Sequence, residues 1–266
     1  MQAIRLCNLP QGDFLAFSQD TYDYKNVRLL DLQTKTFESL VRLAQKYRPF
    51  QRDIVDVGSY VGNWCINQAK QHTDLNFHMF EIQRMAHYAA CGNIALHNVT
   101  NVKANLIGLS DQNIMTRLPM IDYTVPGSYQ EFSFDNNKSV GDFVFLKSLD
   151  HIPLVAIDTL KLAPLVIKID THNHLFQIIQ GAQKTLMQFE PIILCQFANI
   201  TTGVQSQLTE WQYTMKVVSD LVSVFIPKWL IQVENLNQIL GDSIADMHIS
   251  HPNNAPPVFG KISLVT

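Results

Sequence analysis

The sequence predicts an α/β fold, a mostly parallel sheet with helices on both faces, and three observations lead there. Short apolar runs bounded by turn residues alternate with amphipathic stretches from Thr36 onward, the pattern of repeated strand–helix–strand units. One run, Asp53-Ile-Val-Asp56-Val, passes directly into Gly58-Ser59-Tyr60-Val-Gly62-Asn63-Trp64, which reads as strand, glycine turn and helix start. Polar or acidic residues also close four successive strands, and the carboxyl ends of parallel strands are where such sheets bind ligands.

Residues 1–35 read as a lead-in, either a hairpin or irregular, with Pro10-Gln11-Gly12 and Asp20-Thr-Tyr22-Asp-Tyr24. Residues 36–266 form the main domain. Its first helix begins at Thr36, where Phe37, Leu40, Val41 and Ala44 recur at i, i+3, i+4, i+7, and it ends before Pro49. Strand one covers residues 54–57 and the next helix runs from about Asn63 to Gln71. Strand two, residues 76–81, ends on Glu81. A helix containing Met85, Tyr88, Ala89, Ile94 and Leu96 follows, and strand three, residues 102–109, runs into Ser110-Asp111.

Turn formers at 126–128 and 135–137 predict an inserted loop or hairpin at about 112–150. The alternation then resumes: a strand over 165–169 ending in Asp170, a helix from His174 to Gln188, and a strand over 191–195. A helix over about 210–222 with Trp211 and Tyr213 on it follows, then terminal strands at 224–226 and 229–233, and a turn-rich loop at 253–257. Met79, Met85 and Met187 sit at apolar positions and are expected in the core.

With 266 residues the chain can be one sizeable domain or a domain with a small appendage. It is 47% hydrophobic but only 16% charged, and its net charge of −3 argues against a general nucleic-acid binder. No basic-plus-apolar leader and no membrane span are expected, because the apolar runs are broken by Pro164, Pro227 or Lys228. Cys7, Cys65, Cys91 and Cys195 are scattered, without C-x-x-C. They fit buried roles in a reducing, cytoplasmic compartment rather than a zinc site. Oligomeric state has no signature in the sequence.

The glycine spacing is D-x-G-x-x-x-G, which matches neither the dinucleotide fingerprint nor a P-loop, and no Lys-Ser or Lys-Thr follows. Gly58 suits a positive φ, Gly62 suits close approach of backbone to ligand, and the helix start offers amide groups to a polar ligand. A glycine-poor turn with Asp56 in the preceding strand suits a cationic, phosphate-free nucleoside, and S-adenosylmethionine is the common one. Glu81, about twenty residues past the glycines, is placed to accept ribose hydroxyls. Lys161 and Lys168 could contact an anionic group, but solvation at strand edges is the first reading of them.

These residues carry a family resemblance. Asp56-Val-Gly58-Ser-Tyr-Val-Gly62-Asn-Trp64, Phe80-Glu81, Gly108-Leu-Ser-Asp111, Ile157-Asp158-Thr-Leu160 and Ile167-Lys-Ile-Asp170 stand in that order, followed by Gly181-Ala182 and Pro191-Ile-Ile. Together they resemble the FkbM-type S-adenosylmethionine-dependent methyltransferases, which mostly O-methylate sugars and natural products. The resemblance spans Asp53 to Phe197. It implies a Rossmann-like class I methyltransferase fold for 36–266 and a small-molecule or glycan acceptor. It also implies cofactor binding by Asp56, Gly58, Ser59, Tyr60, Gly62, Asn63 and Trp64, with Glu81 on the ribose and Ser110 and Asp111 near the adenine. Asp170 would lie near the transferring methyl.

The chain departs from the family after Asp170. Thr171-His172-Asn173-His174 stands where the family has Val-Glu-Gly and a later acid, and Glu81 is followed by Ile82 instead of proline. Three readings compete. His172 or His174 replaces a carboxylate as general base beside Asp170; Asp170 and a histidine bind a metal, for which one motif lacks enough ligands; or catalysis is lost and the fold serves as a binding or scaffold protein. An RNA ribose 2'-O-methyltransferase is the enzymatic alternative, although Lys168 and Asp170 do not complete a Lys-Asp-Lys-Glu tetrad. A base N-methyltransferase is disfavoured, since Asp170-Thr-His-Asn replaces its Pro-Pro motif.

Overall fold

A computed structural model describes residues 3–9, 12–20, 23–127, 129, 145–171, 174–196 and 200–235. The chain opens on an antiparallel hairpin, β1 (Ile4–Leu9) and β2 (Gly12–Phe17), with Cys7 opposite Phe14. Helix α1 (Asp23–Tyr47) follows. It starts well ahead of Thr36 because Leu29 and Leu32 extend the buried stripe of Phe37, Leu40, Val41 and Ala44 toward the N-terminus. Next come β3 (Asp53–Val57), α2 (Asn63–Gln71), β4 (Asn76–Phe80) and α3 (Arg84–Leu96), close to their expected places.

Strand three divides into β5 (Val102–Asn105) and β6 (Gly108–Leu109). The Asn105 side-chain amide donates to the Met79 carbonyl at 2.9 Å and ties off the end of β5. β6 then leaves to pair with β8 (Phe145–Val155), whose other neighbour is β7 (Ile114–Ile121). The region 112–150 therefore contains an antiparallel pair in a separate three-stranded sheet of order β6-β8-β7.

A 3-10 turn (Ile157–Thr159) leads to β9 (Pro164–Ile169). The helix expected over 174–188 is two short ones, α4 (Leu175–Gln180) and α5 (Gln183–Phe189), broken at Gly181-Ala182. The Asp158 carboxylate accepts the amides of Lys184 and Thr185 at 3.0 and 2.8 Å, capping α5. After β10 (Ile192–Cys195), helix α6 (Thr202–Glu210) comes earlier than expected. Tyr213 lies in β11 (Tyr213–Val217), not on a helix, and its hydroxyl reaches the Pro191 carbonyl at 3.1 Å. The turn at Trp211-Gln212, with Gln212 at φ 65°, ends the helix there. β12 (Ser223–Pro227) is the expected strand, but residues 229–233 belong to α7 (Lys228–Val233), which buries Leu230. Pro227 stands just before its first turn, where the missing N–H costs no helix bond.

The main sheet has order β11-β12-β10-β9-β3-β4-β5, parallel from β10 to β5 with β12 antiparallel to both its neighbours. Its alternating residues feed two cores. Ile54, Met79, Val166, Leu194 and Val224 pack under α1, α2 and α7, while Val55, Ile167, Ile193 and Phe225 pack under α4, α5 and α6. Met79 is buried, whereas Met187 is 60% exposed on α5 and Cys91 is exposed on α3, against expectation for both. A third cluster, with Phe17, Tyr60, Tyr123 and Tyr129, joins the N-terminal hairpin to the end of β7. Among the described residues no helix is long and apolar enough to cross a membrane. Pro10, Gln11, Tyr22, Ser128, Asn173, Phe197 and the turns at 135–137 and 253–257 lie outside the described residues.

Gly181 has an ordinary φ of −72°, so its role is steric: a Cβ there would stand 1.8 Å from the Ser110 carbonyl oxygen. Gly181→Ala is expected to destabilise the protein by about 1–3 kcal/mol or more by pushing the Ser110 loop off α4. Urea denaturation checks this, and an unchanged midpoint would refute the close approach.

Candidate functional site

The sheet order reverses between β3 and β9, since β4 and β5 lie to one side and β10 and β12 to the other. Such a reversal opens a crevice beyond the carboxyl ends of the two strands. The glycine turn and Asp170 occupy it. The Asp170 amide continues the sheet by donating to the Val57 carbonyl at 2.9 Å. Gly58 adopts φ 77°, and a Cβ there would meet Thr171 Cγ2 at 2.9 Å. Glycine is thus required at that position by conformation and by space together.

The amides of Gly58, Ser59, Tyr60, Gly62 and Trp64 are engaged within the protein. Gly58 N–H donates to the Phe80 carbonyl at 2.9 Å, Gly62 N–H to the Ser59 carbonyl at 2.9 Å, and Trp64 N–H to the Asn63 side chain at 2.8 Å. Gly62, at φ 81°, faces inward, since a Cβ would lie 3.0 Å from Met79 Sδ. Two hydroxyls on either side of Gly58 are different: Ser59 Oγ and Thr171 Oγ1 are buried and have no hydrogen-bond partner among the described residues. Trp64 Nε1 is likewise unpartnered. Buried polar atoms are ordinarily bonded, although Ser223 Oγ and Trp229 Nε1, on other elements, are unpartnered as well.

Glu81 lies just beyond β4 and is buried. Its carboxylate accepts the Tyr60 and Gln83 amides, each at 2.8 Å, and the Ile82 amide adds a third backbone bond. Burial pushes its pKa up to about 7, against the pull of those amides. Above it the Tyr60 hydroxyl donates to Asp20 at 2.7 Å, and the Tyr123 hydroxyl donates to Gln83 Oε1 at 2.5 Å. A small cleft opens beside Ile82, between α3 and β7, walled by Met85, Leu118 and Ile121. Arg84, in a forked pair with Asp150, lies on its rim.

The strongest electrostatic feature is a lysine that the sequence reading placed in solvent. Lys168 is 2% exposed, between Asp56 at 2.9 Å and Asp170, with its ammonium 4.7 Å from the centre of the Trp64 ring. β9 is buried along its whole length, and a central parallel strand has no solvated face, so an internal lysine there had to be paired. Lys168 aligns with Asp56 across β3 and β9. Burial opposes its charge, but Asp170 and Asp56 outweigh that and raise its pKa above the usual lysine value. Burial also lifts Asp170 to about 6, with Asp56 adding to the rise and Lys168 opposing it. Gln33 of α1 donates to the other Asp170 oxygen at 2.9 Å. Sequence reasoning did not single out Gln33, and its only signal was a polar residue within the α1 stripe.

Ser110 and Asp111 follow β6. Ser110 Oγ donates to Asp111 at 3.0 Å and lies 3.0 Å from His174 Nε2. His174, immediately before α4, therefore joins the Ser110 loop, and desolvation lowers its pKa. His172 lies outside the described residues. The acids expected on one rim thus fall into two groups: Glu81, the glycine turn, Asp170 and Thr171 in one, and His174, Ser110 and Asp111 in the other. Among the described residues no three His, Cys, Asp or Glu side chains are grouped to hold a metal ion.

The sheet, mostly parallel with helices on both faces, has the Rossmann-like α/β architecture expected from the sequence. No protein-family profile and no curated protein matches the chain. Among solved structures it is similar to methyltransferase FkbM from Methylobacillus flagellatus KT, at 14% identity and TM-score 0.46 over 66% of this chain and 43% of that one. It is also similar to the N-terminal domain of human METTL16, solved with SAH, at 9% identity and TM-score 0.44 over 74% and 70%. The Pyrococcus abyssi tRNA (uracil-54, C5)-methyltransferase, in complex with S-adenosyl-L-homocysteine, is similar at 14% identity and TM-score 0.39 over 85% and 44%. The chain spans less than half of the Methylobacillus and Pyrococcus proteins.

Two predictions follow from the charges. Lys168→Met leaves two buried carboxylates facing each other and is expected to cost about 3–5 kcal/mol, partly recovered by adding Asp56→Asn. A loss below about 1 kcal/mol in urea titrations would contradict the buried pairing. Folded Glu81 and Asp170 bind protons more tightly than in the unfolded chain, so their stabilising contribution is present below about pH 4 and is lost as pH rises through about 6 and 7. The urea midpoint should therefore fall between pH 5 and pH 8, less so in Glu81→Gln. An equal fall in that variant would remove Glu81 from the effect.

Proposed function

We propose that the chain binds S-adenosylmethionine at the Gly58 turn and O-methylates a hydroxyl of a small molecule or sugar, as the FkbM-type enzymes it resembles do. The observation that carries this reading is the pair of buried, unpartnered hydroxyls, Ser59 Oγ and Thr171 Oγ1, flanking Gly58 where the sheet order reverses. They lie between Glu81, whose carboxylate keeps an acceptor site for a ribose hydroxyl, and a cluster with one carboxylate in excess of its ammonium, which suits a cationic ligand. The donor set therefore fits the cofactor, whose chemistry when bound is an electrophilic methyl on a sulfonium.

In this reading Gly58, Ser59 and Thr171 hold the methionine end and Glu81 the ribose, with Ser110 and Asp111 toward the base. Asp170 takes the proton from the acceptor hydroxyl, for which a pKa near 6 is well matched at neutral pH. His174, bonded to Ser110, orients that loop. The cleft between α3 and β7 gives the acceptor a wall built by the insertion. Lys168 is engaged by Asp56 and Asp170, which weighs against the RNA ribose alternative. A cytoplasmic setting is part of the proposal, from four cysteines scattered without a C-x-x-C pattern.

Calorimetry with S-adenosylmethionine and S-adenosylhomocysteine tests the reading. Binding is expected, and Glu81→Ala should weaken it by roughly 1–3 kcal/mol, about 5- to 150-fold. Absence of binding to the wild type sinks the cofactor assignment. Binding without turnover on any hydroxyl acceptor favours the scaffold reading instead.

A further inference from the structure

The glycine turn and every acid of the site lie C-terminal to α1, yet one α1 side chain enters the site. Gln33 is 3% exposed and stands four residues before Phe37 and four after Leu29, on the stripe that packs against the sheet. An apolar residue would suit that position, because a buried amide is unfavourable unless it is bonded. Its Nε2 donates to Asp170 Oδ1 at 2.9 Å, while Lys168 takes Oδ2. The two oxygens of Asp170 are thus gripped from different elements, one from β9 and one from a helix that crosses the face of the sheet.

We infer that Gln33 is a positioning residue, which fixes the carboxylate of Asp170 in a single orientation and makes the N-terminal helix part of the reacting site. The inference rests on the reading of Asp170 as the proton acceptor. Lys168 alone would let the carboxylate turn about its bond to the ammonium; a second donor in a different direction removes that freedom. A donor to the charged form also favours ionisation, so Gln33 counteracts the burial that protonates Asp170. The other groups facing Asp170 are Asp56 on β3, Lys168 on its own strand and the Cys195 thiol on β10.

The test is the titration of Asp170 itself, read from its carboxyl ¹³C shift, with Asp170→Asn identifying the resonance. In the wild type the midpoint is expected near 6. In Gln33→Leu, which keeps the volume and removes the donor, it should rise by about one pH unit. A purely structural glutamine would change the urea midpoint and leave the titration where it was, and that result overturns the inference. Should Gln33→Leu not fold, the wild type still decides: the Gln33 side-chain NH₂ signals must shift with the Asp170 midpoint, and pH-independent signals overturn the inference. Neither readout needs a cofactor. A wild type that fails to bind S-adenosylhomocysteine while showing the coupled titration would overturn the functional reading alone.

Discussion

The structure depends on one buried cation. Lys168 points from the middle strand of the sheet into the face covered by α1 and α2, where water cannot reach it. An ammonium in that position is tolerable only with opposite charge in contact, because the cost of desolvating it alone exceeds the stability of an ordinary domain. Asp56 supplies that charge from the neighbouring parallel strand β3, and Asp170 from the end of the lysine's own strand. The pairing holds only in the register that sets Asp56 beside Lys168, since a slip of one residue would turn the lysine into the opposite, apolar layer. The ion cluster therefore acts as a register pin at the place where the sheet order reverses.

The same cluster prepares the rim above it. Asp56 and Asp170 lie two residues before Gly58 and one before Thr171, so fixing the carboxylates fixes the two chain segments that bound the crevice. Gly58 then has no room for a side chain against Thr171, and its positive φ aims the turn at Glu81. Beside the turn, the hydroxyls of Ser59 and Thr171 are buried and have no hydrogen-bond partner among the described residues. Asn93, by contrast, is bonded to the Leu15 and Val61 carbonyls.

Sequence periodicity located most of the central elements, because β3, α2, β4, α3 and β9 each bury one stripe or run that the residue pattern displays. It failed at the edges. The Tyr213 segment was read as helix because aromatic and apolar residues spaced irregularly around Trp211 fit either period over so short a span, and only pairing with β12 made it a strand. Residues 229–233 went the other way: a run of bulky apolar residues looks like a strand until Pro227 and the end of the sheet force it into a helical turn. Lys168 was misplaced for a related reason. A strand's burial on both faces depends on its being central, and a central position is a property of the assembled sheet.

Composition and spacing by themselves determined the α/β class, the strand that carries the glycine turn, and the placing of Asp56, Glu81 and Asp170 near strand ends, since these follow from local period and local conformation. The tertiary structure alone decided which of those acids meet. It joined Asp56 to Asp170 through a lysine, brought His174 to Ser110, and sent Gln33 across the sheet to an acid far along the chain. Contacts of that kind arise from strand order and helix crossing, which no residue encodes through its neighbours in sequence. They are set by the requirement that every buried charge find its partner in the one arrangement that also closes the two apolar layers.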